Sequence, residues 1–359
     1  MALIDRYLEI LLDKQGSDLH LMAGDPPRMR QHGDLIQIEG EERMHPDTAK
    51  EIIEEILTPG ARVQLAEDEG ADFAYALGDK ARFRVNVLRQ INGLGAVLRA
   101  IPASALTLEQ LDAPRSLYTM CREKAGLVLV TGKTGSGKST TLAAMIDHIN
   151  TNTKGHILTI EDPIEFTHQR KGCLISQREV GEHTGSFAKA LKSALREDPD
   201  VILVGEMRDL ETMSIAVTAA ETGILVMGTL HTNSAAATVD RIINTFPSDK
   251  QPHIRTMLST SLRGVVSQQL LKRKAASGRV AAMEIMLNTS AIGNLVRQGK
   301  LDQIENSMQG AAQLGMQTMD QALKRLVQKR LIDGETAYLQ CHNKSQFKDY
   351  APPGADLED

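Results

Sequence analysis

The first hundred residues alternate between stretches of helical spacing and stretches of strand spacing. Apolar positions predict one helix over residues 3–12 and a second helix that begins near residue 46 and ends near Pro59-Gly60. Strand-like alternation of polar and apolar residues recurs over residues 17–21, 34–38, 71–75, 82–89 and 94–99. This order predicts a small α+β domain for residues 1–101, followed by a proline-containing linker over residues 102–114.

The pattern changes beyond Gly126, where apolar runs alternate with helical spacing. The runs predict strands over residues 127–130, 156–160, 201–204 and 224–230. A succession of strands and helices favours a mainly parallel, doubly wound sheet, which binds ligands where its strands end. From Gln251 we expect mostly helix, so that residues 115–350 form an α/β domain with a helical C-terminal portion. Residues 351–359 read as a disordered acidic tail.

The composition argues against nucleic acid, disulfides, zinc and a membrane span. The 359 residues carry a net charge of −5 and only 3% aromatic residues, which argues against nucleic acid as a partner. The widely separated Cys121, Cys173 and Cys341 lack metal-ligand spacing and suggest a reducing cytoplasm rather than disulfides or zinc. No apolar run approaches a membrane span, so we expect membrane contact only through a partner.

The most specific motif runs from Gly132 to Ser139 and fits G-x-x-x-x-G-K-[ST] between a predicted strand and a predicted helix. Its glycines let backbone N–H groups surround phosphates, and the helix N-terminus adds partial positive charge. We expect the ammonium of Lys138 between the β- and γ-phosphates and the hydroxyl of Ser139 on Mg²⁺. The predicted ATP-binding residues are Gly132, Thr134, Gly135, Ser136, Gly137, Lys138, Ser139 and Thr140.

Acidic residues follow two of the predicted strands. Glu161, Asp162 and Glu165 come after the strand at 156–160, where they fit a catalytic turn about as well as a solvated acidic turn. Glu206 comes after the most hydrophobic strand, at a position where an acid commonly holds Mg²⁺ or its water shell.

Three further residues are candidates with strong alternatives. His231 ends a strand and could hydrogen-bond a γ-phosphate, although a histidine there is more often structural. Arg84 and Arg99 lie outside the nucleotide domain, and pattern alone makes them surface cations of strands.

Together these stretches resemble the secretion-ATPase superfamily, and within it the type IV pilus retraction ATPases (the PilT/PilU group). The resemblance covers nearly the whole chain. Its Walker A, Asp box, Walker B and His box correspond to Gly132–Ser139, Thr159–Phe166, Leu203–Glu211 and Gly228–Asp240.

The resemblance implies a hexameric ring of subunits with a PAS-like N-terminal domain and a RecA-like ATPase domain. It assigns water activation to Glu165, the Walker B position near Mg²⁺ to Glu206 and the His-box position to His231. It matches Arg84 and Arg99 with arginines that approach the γ-phosphate. The implied cofactors are ATP and Mg²⁺, with Ser139 and, through water, Glu206 at the metal. The implied partners are copies of the chain, an inner-membrane pilus platform protein and a paralogous ATPase, at the cytoplasmic side of the inner membrane.

Two departures and three alternatives stay open. Lys133 replaces the usual proline of the loop, and Gly293 replaces the first arginine of the Ala-Ile-Arg-Asn-Leu-Ile-Arg helix typical of retraction ATPases, which leaves an accessory paralogue open. The first alternative is a pilus-extension or type II secretion ATPase, although these proteins generally have a longer N-terminal region and a four-cysteine zinc element. A nucleic-acid translocase and a nucleotide switch without hydrolysis share the phosphate loop.

Overall fold

The computed structural model describes residues 2–31, 33–78, 80–101, 105–275 and 278–352. Part of the predicted linker and residues 353–359 of the predicted tail therefore lie outside the described residues. The chain divides into two units. The first consists of Met1–Ala105, Glu161–His168 and Arg178–Ser186, and the second of Leu106–Ile160, Gln169–Gln177 and Phe187–Asp359. The domain limits 1–101, 102–114 and 115–350 stay a prediction.

A six-stranded antiparallel sheet forms the N-terminal unit, with strand order β3-β2-β1-β6-β5-β4. Its strands are β1 (Asp18–Met22), β2 (Arg28–Gln31), β3 (Asp34–Gln37), β4 (Gly70–Leu77), β5 (Ala81–Gln90) and β6 (Gly93–Ile101). Its helices are α1 (Asp5–Asp13), α2 (Pro46–Ile56) and α3 (Pro59–Glu67). Along β5 the side chains of Phe83, Val85 and Val87 are buried and that of Arg84 is exposed, which is the alternation that the sequence predicts.

Two details of this unit differ from the expectation. The strand β2 was not predicted, and Pro59-Gly60 begins α3 instead of ending α2. Proline fits the first position of a helix because its missing N–H would have no partner there, and the hydroxyl of Thr58 caps the amide of Ala61 at 3.2 Å. The same proline is therefore a start signal for α3.

The second unit contains a seven-stranded sheet of order β13-β12-β7-β11-β10-β8-β9, except that the last residue of β8, Glu161, and the last two residues of β9, Arg178 and Glu179, belong to the first unit. Its strands are β7 (Gly126–Thr131), β8 (His156–Glu161), β9 (Leu174–Glu179), β10 (Val201–Val204), β11 (Leu225–Leu230), β12 (Leu262–Lys272) and β13 (Arg279–Leu287). Strands β12, β7, β11, β10 and β8 run parallel in that order, and β13 is antiparallel to β12. The predicted fold class, with a mainly parallel sheet in the second half, is confirmed.

The expectation of mostly helix after Gln251 missed two strands, because β12 and β13 occupy 262–272 and 279–287 between the helices of this region. Most residues of β12 are buried on both faces of the strand, and periodicity cannot distinguish a buried strand of this kind from a buried helix. Residues 174–179 form β9, which was also not predicted.

Ten α-helices accompany this sheet in the part of the chain that the structure describes. They are α4 (Arg115–Met120), α5 (Lys138–Asn152), α6 (Phe187–Ala194), α7 (Leu210–Glu221), α8 (Ala235–Thr245), α9 (Gln251–Ser261), α10 (Ser290–Gln298), α11 (Ile304–Gly310), α12 (Met319–Gln328) and α13 (Gly334–Gln340). The last four form the helical C-terminal portion. The cysteines at 121, 173 and 341 are buried and free. None of the helices in the described ranges has both the length and the apolar content needed to cross a bilayer.

Candidate nucleotide and catalytic site

The predicted phosphate loop lies between β7 and α5. Every residue of β7 is buried, with β11 and β12 parallel to it on its two sides. A strand anchored in this way fixes the point at which the loop begins, and α5 starts at Lys138, so its N-terminal turn adjoins the loop. The arrangement is the strand, glycine loop and helix that the motif requires.

Glycine is required at two loop positions for a geometric reason. A Cβ atom at Gly132 would lie 2.3 Å from the carbonyl oxygen of Gln268, and Gly137 has a φ of +87°. A side chain at either position would push the loop away from the sheet or strain its backbone. The two glycines therefore permit the compact backbone that a phosphate-binding loop requires.

Gln268 is a residue of this site that sequence reasoning missed. Its side chain is buried on β12, where its amide nitrogen donates to the carbonyl oxygen of Ser136 at 2.6 Å. Its amide oxygen accepts from the hydroxyl of Thr141 at 2.8 Å. The two bonds tie the end of the loop and the first turn of α5 to the sheet. No motif signals Gln268, because its position depends on the pairing of β12 with β7.

The ammonium of Lys138 lies over the loop. It donates to the carbonyl oxygens of Gly132 at 2.9 Å and Lys133 at 3.2 Å, and the residue is only 9% exposed. A buried ammonium at the start of a helix is suited to bind the anionic end of a nucleotide. Ser139 follows at the start of α5, in the position from which its hydroxyl would reach a metal ion bound to the phosphates.

Glu206 and His231 form a pair at the ends of β10 and β11. Oε1 of Glu206 lies 3.0 Å from Nε2 of His231, and Oε2 accepts from the guanidinium of Arg208 at 2.6 Å. The hydroxyl of Thr229 donates to the carbonyl oxygen of Gly205 at 2.5 Å and so ties the two strand ends together. The predicted Walker B and His-box residues thus lie side by side.

The surroundings of Glu206 favour its ionised form. Burial raises the pKa of its carboxyl, but the hydrogen bond and charge of Arg208 and the charges of His231 and Lys138 outweigh burial and leave the pKa below its ordinary value. A carboxylate whose pKa is lowered by the charge of Lys138 is suited to bind a water molecule in the outer coordination sphere of Mg²⁺.

A chain of hydroxyl groups links the turn after His231 to the strand before the loop. The hydroxyl of Thr232 lies 2.7 Å from that of Thr238, which in turn lies 3.4 Å from that of Thr131, the last residue of β7. The start of α8 is also fixed, because the buried carboxylate of Glu284 accepts from the amide of Ala235 at 2.6 Å. The turn after His231 and the start of α8 are therefore both held by residues of the same sheet that carries the phosphate loop.

A cavity of about 660 Å³ opens beside the loop, next to Gly137, Thr140 and Thr141. Its apolar lining includes Ala281, Met283, Leu326 and Leu331, and its cationic lining includes Arg115, Arg273, Arg279, Arg325 and Lys329. This volume is within the usual range of small-ligand sites, and it adjoins the side of the loop where α5 begins.

The predicted base Glu165 belongs to the N-terminal unit, on the loop Glu161–His168. The peptide bond between Asp162 and Pro163 is cis, Ile164 is buried, and Glu165 is half-buried. The amide of Ile164 donates to a carboxylate oxygen of Glu179 at 3.0 Å. Glu165 thus stands on a turn whose backbone has a defined anchor.

Arg84 and Arg99 are exposed and lie on the same face of the N-terminal sheet. Arg84 pairs loosely with Asp72 at 3.8 Å, and Arg99 pairs with the buried Asp18 at 2.7 Å. The structure therefore collects the predicted residues in two groups. The loop, Glu206 and His231 belong to the second unit, and Glu165 belongs with both arginines to the first.

A buried parallel sheet that carries a glycine loop, a buried lysine and a carboxylate at its strand ends defines a P-loop nucleotide-binding protein. The chain belongs to the family of type II/IV secretion system proteins, whose model matches residues 2–348.

Similar proteins include members of known role. The type IV pilus retraction ATPase PilT of Pseudomonas aeruginosa is 52% identical over 325 residues, which cover 90% of this chain and 94% of that protein. PilU, a type IV pilus ATPase of the same organism, is 41% identical over 93% of this chain and 87% of its own length. A crystal structure of the pilus retraction motor PilT with bound ADP superimposes with a TM-score of 0.90 at 42% identity, over 97% of this chain and 99% of that one.

Proposed function

We propose that this chain is an ATP-hydrolysing motor that drives retraction of a type IV pilus. The observation that carries the proposal is the phosphate loop bound by Gln268, with the pair of Glu206 and His231 at the neighbouring strand ends. The similarity to PilT over nine-tenths of the chain supports retraction as the work that hydrolysis drives.

In this proposal the loop amides and Lys138 bind the β- and γ-phosphates, while Ser139 and, through water, Glu206 hold Mg²⁺. Magnesium would neutralise the charge that develops on the phosphates during transfer. The nucleoside would occupy the cavity beside Thr140 and Thr141, where apolar side chains can cover a base and cations can reach its ribose and α-phosphate.

Hydrolysis needs a group that orients and deprotonates water, and we assign that role to Glu165 from the match to the Asp box. His231 would hydrogen-bond the γ-phosphate, and loss of this phosphate would change its contact with Glu206. Arg84 and Arg99 would supply positive charge to the transition state, a contribution of roughly 10³ to 10⁵ in rate for cations of this kind. Loss of the γ-phosphate would then release those contacts and allow movement.

The family resemblance supports a homo-hexamer as the working assembly, docked on an inner-membrane platform protein at the cytoplasmic side of the membrane. PilU is a relative at 41% identity, so a paralogous ATPase is a further partner in the proposal.

The test is a chromosomal deletion complemented with the wild-type gene or with Glu165→Gln. Retraction predicts excess surface pili and loss of twitching in the deletion and in the variant, with normal behaviour in the wild-type complement. Bald cells would instead assign the chain to pilus assembly. ATPase activity of the purified protein without DNA, unchanged when DNA is added, separates the motor from a nucleic-acid translocase.

A further inference from the structure

The loop that carries Glu165 has an anchor outside the motif. Oε2 of Glu179, at the end of β9, accepts from the amide of Ile164 at 3.0 Å, one residue before Glu165. Glu179 is 2% exposed, so this carboxylate is withdrawn from water. A second bond joins the same two segments, because the amide of Val180 donates to the carbonyl oxygen of Glu161 at 2.9 Å.

The same oxygen of Glu179 has a second donor. The guanidinium of Arg82 donates to Oε2 at 2.7 Å, so one oxygen atom receives both the loop amide and the arginine. The side chain of Arg82 is 31% exposed and that of Glu179 is 3% exposed. A largely buried ion pair is weak evidence for stability, because desolvation offsets much of the attraction between its charges. Its geometry points instead to positioning.

Arg82 connects the loop to the strand that carries Arg84. The two arginines are two residues apart on β5 and therefore lie on the same face of the sheet. Arg84 and the turn of Glu165 are thus mounted on one framework of β5, Arg82 and Glu179, all within the N-terminal unit.

We propose that Glu179 and Arg82 are positioning residues that fix the turn of Glu165, so that the general base and the cation Arg84 keep one fixed separation during turnover. The proposal rests on the assignment of Glu165 as the base under the proposed function. Neither residue touches the nucleotide in this role. A displacement of about 1 Å at a reacting group can cost about 100-fold in rate, so such an anchor has a measurable effect.

The chain offers two replacements of Glu179 that separate reach from charge. Glu179→Gln keeps the length of the side chain, and its single carbonyl oxygen can replace Oε2 and accept from both donors. Glu179→Asp keeps the charge but is one methylene shorter, so it cannot reach Ile164 and Arg82 together. Glu182→Asp is the matched control, because Glu182 is an exposed acid only three residues after Glu179.

The experiment measures kcat and KM for ATP in the purified full chain, with thermal unfolding as the check on folding. Glu179→Asp is expected to lower kcat by about 10- to 100-fold with KM changed by less than about twofold. Glu179→Gln and Glu182→Asp should stay within about threefold of the wild type. If the ion pair only stabilises the fold, the order of the two variants is reversed: Glu179→Asp, which keeps the charge, should resemble the wild type more closely than Glu179→Gln does.

Normal kcat in Glu179→Asp, or a loss in Glu179→Gln as large as in Glu179→Asp, overturns the proposal. Should Glu179→Asp fail to fold, Arg82→Met decides: it removes one of the two donors, so kcat should fall while KM holds, and an unchanged kcat refutes the anchor. Glu165→Gln separates the two levels of inference. If it turns over normally, the assigned base is wrong. If it is inactive while the Glu179 and Arg82 variants are normal, only the positioning role fails.

Discussion

Arg84 and Arg99 lie directly opposite each other on the adjacent antiparallel strands β5 and β6. Two like charges at such a position repel each other and destabilise a sheet. Each arginine has an acid on a flanking strand, Asp72 on β4 and Asp18 on β1, which offsets the repulsion. The pair concentrates positive charge on one exposed face, and the two acids hold the guanidinium groups with unequal strength.

The loose pair makes Arg84 a clean probe of catalysis. Its side chain is 49% exposed and lies 3.8 Å from Asp72, so Arg84→Gln should cost less than about 1 kcal/mol of unfolding free energy. If Arg84 stabilises the transition state, kcat should fall by roughly 10³ or more. Thermal unfolding and steady-state ATPase assays measure the two effects separately. Unfolding of the variant at low temperature, or near-normal turnover, would return Arg84 to a structural role.

The contribution of Arg99 to stability should depend on pH. Burial raises the pKa of the Asp18 carboxyl, but hydrogen bonds from Ser17 and Arg99 outweigh burial and leave the pKa below its ordinary value. A lowered pKa contributes stability above the unfolded value of about 3.9, and that stability is lost as pH falls through the folded value. Arg99→Gln should therefore be less stable than the wild type at pH 7, and the difference should narrow below about pH 4. Urea unfolding across pH measures this, and a constant difference would contradict the pairing.

Lys138 is expected to be essential for nucleotide binding. Lys138→Ala removes the only side-chain ammonium that bonds the loop carbonyls of Gly132 and Lys133 in the described part of the chain. Affinity for a fluorescent ATP analogue should fall below detection. Lys133→Ala, which removes an exposed charge from the same loop, should weaken binding much less. Unchanged affinity in Lys138→Ala would refute the phosphate site.

Gln268 should affect both stability and nucleotide binding. Gln268→Met keeps the volume of the side chain but deletes the hydrogen bonds to Ser136 and Thr141, at a cost of about 2 kcal/mol in unfolding free energy. KM for ATP should rise because the loop loses its tie to β12. Gln269→Met, one residue along and on the opposite face of the strand, is the control. Equal effects of the two substitutions on KM would show that the tie is unimportant.

Gly293 is a packing requirement in this chain. A Cβ atom there would lie 2.8 Å from the carbonyl oxygen of Ser259 in α9. Gly293→Ala gains about 1 kcal/mol in helix propensity but overpacks the contact between α9 and α10, which typically costs 1–3 kcal/mol, so a net loss of about 1 kcal/mol is expected. Differential scanning calorimetry against the exposed Asn294→Ala checks this, and a rise in Tm for Gly293→Ala would contradict the contact. The arginine typical of retraction ATPases has no room here without movement of α10.

Local patterns were sufficient where the chemistry depends on neighbours along the chain. The phosphate loop needs a strand, two glycines, a lysine and a hydroxyl in fixed order, and the structure places these residues together as the sequence order predicts. The alternation along β5 and the apolar run of β10 likewise predicted which side chains are buried.

The sequence by itself determined the kind of ligand, the mainly parallel sheet and the loop that binds phosphate, because each follows from contacts between residues close in the chain. Only the tertiary structure decided that β12 lies beside β7 and brings Gln268 onto the loop. It also decided that Arg82 and Glu179, 97 residues apart, meet under the turn of Glu165. Such contacts depend on which strands and loops become neighbours, and that choice is made by burial across the whole molecule, which no short pattern records.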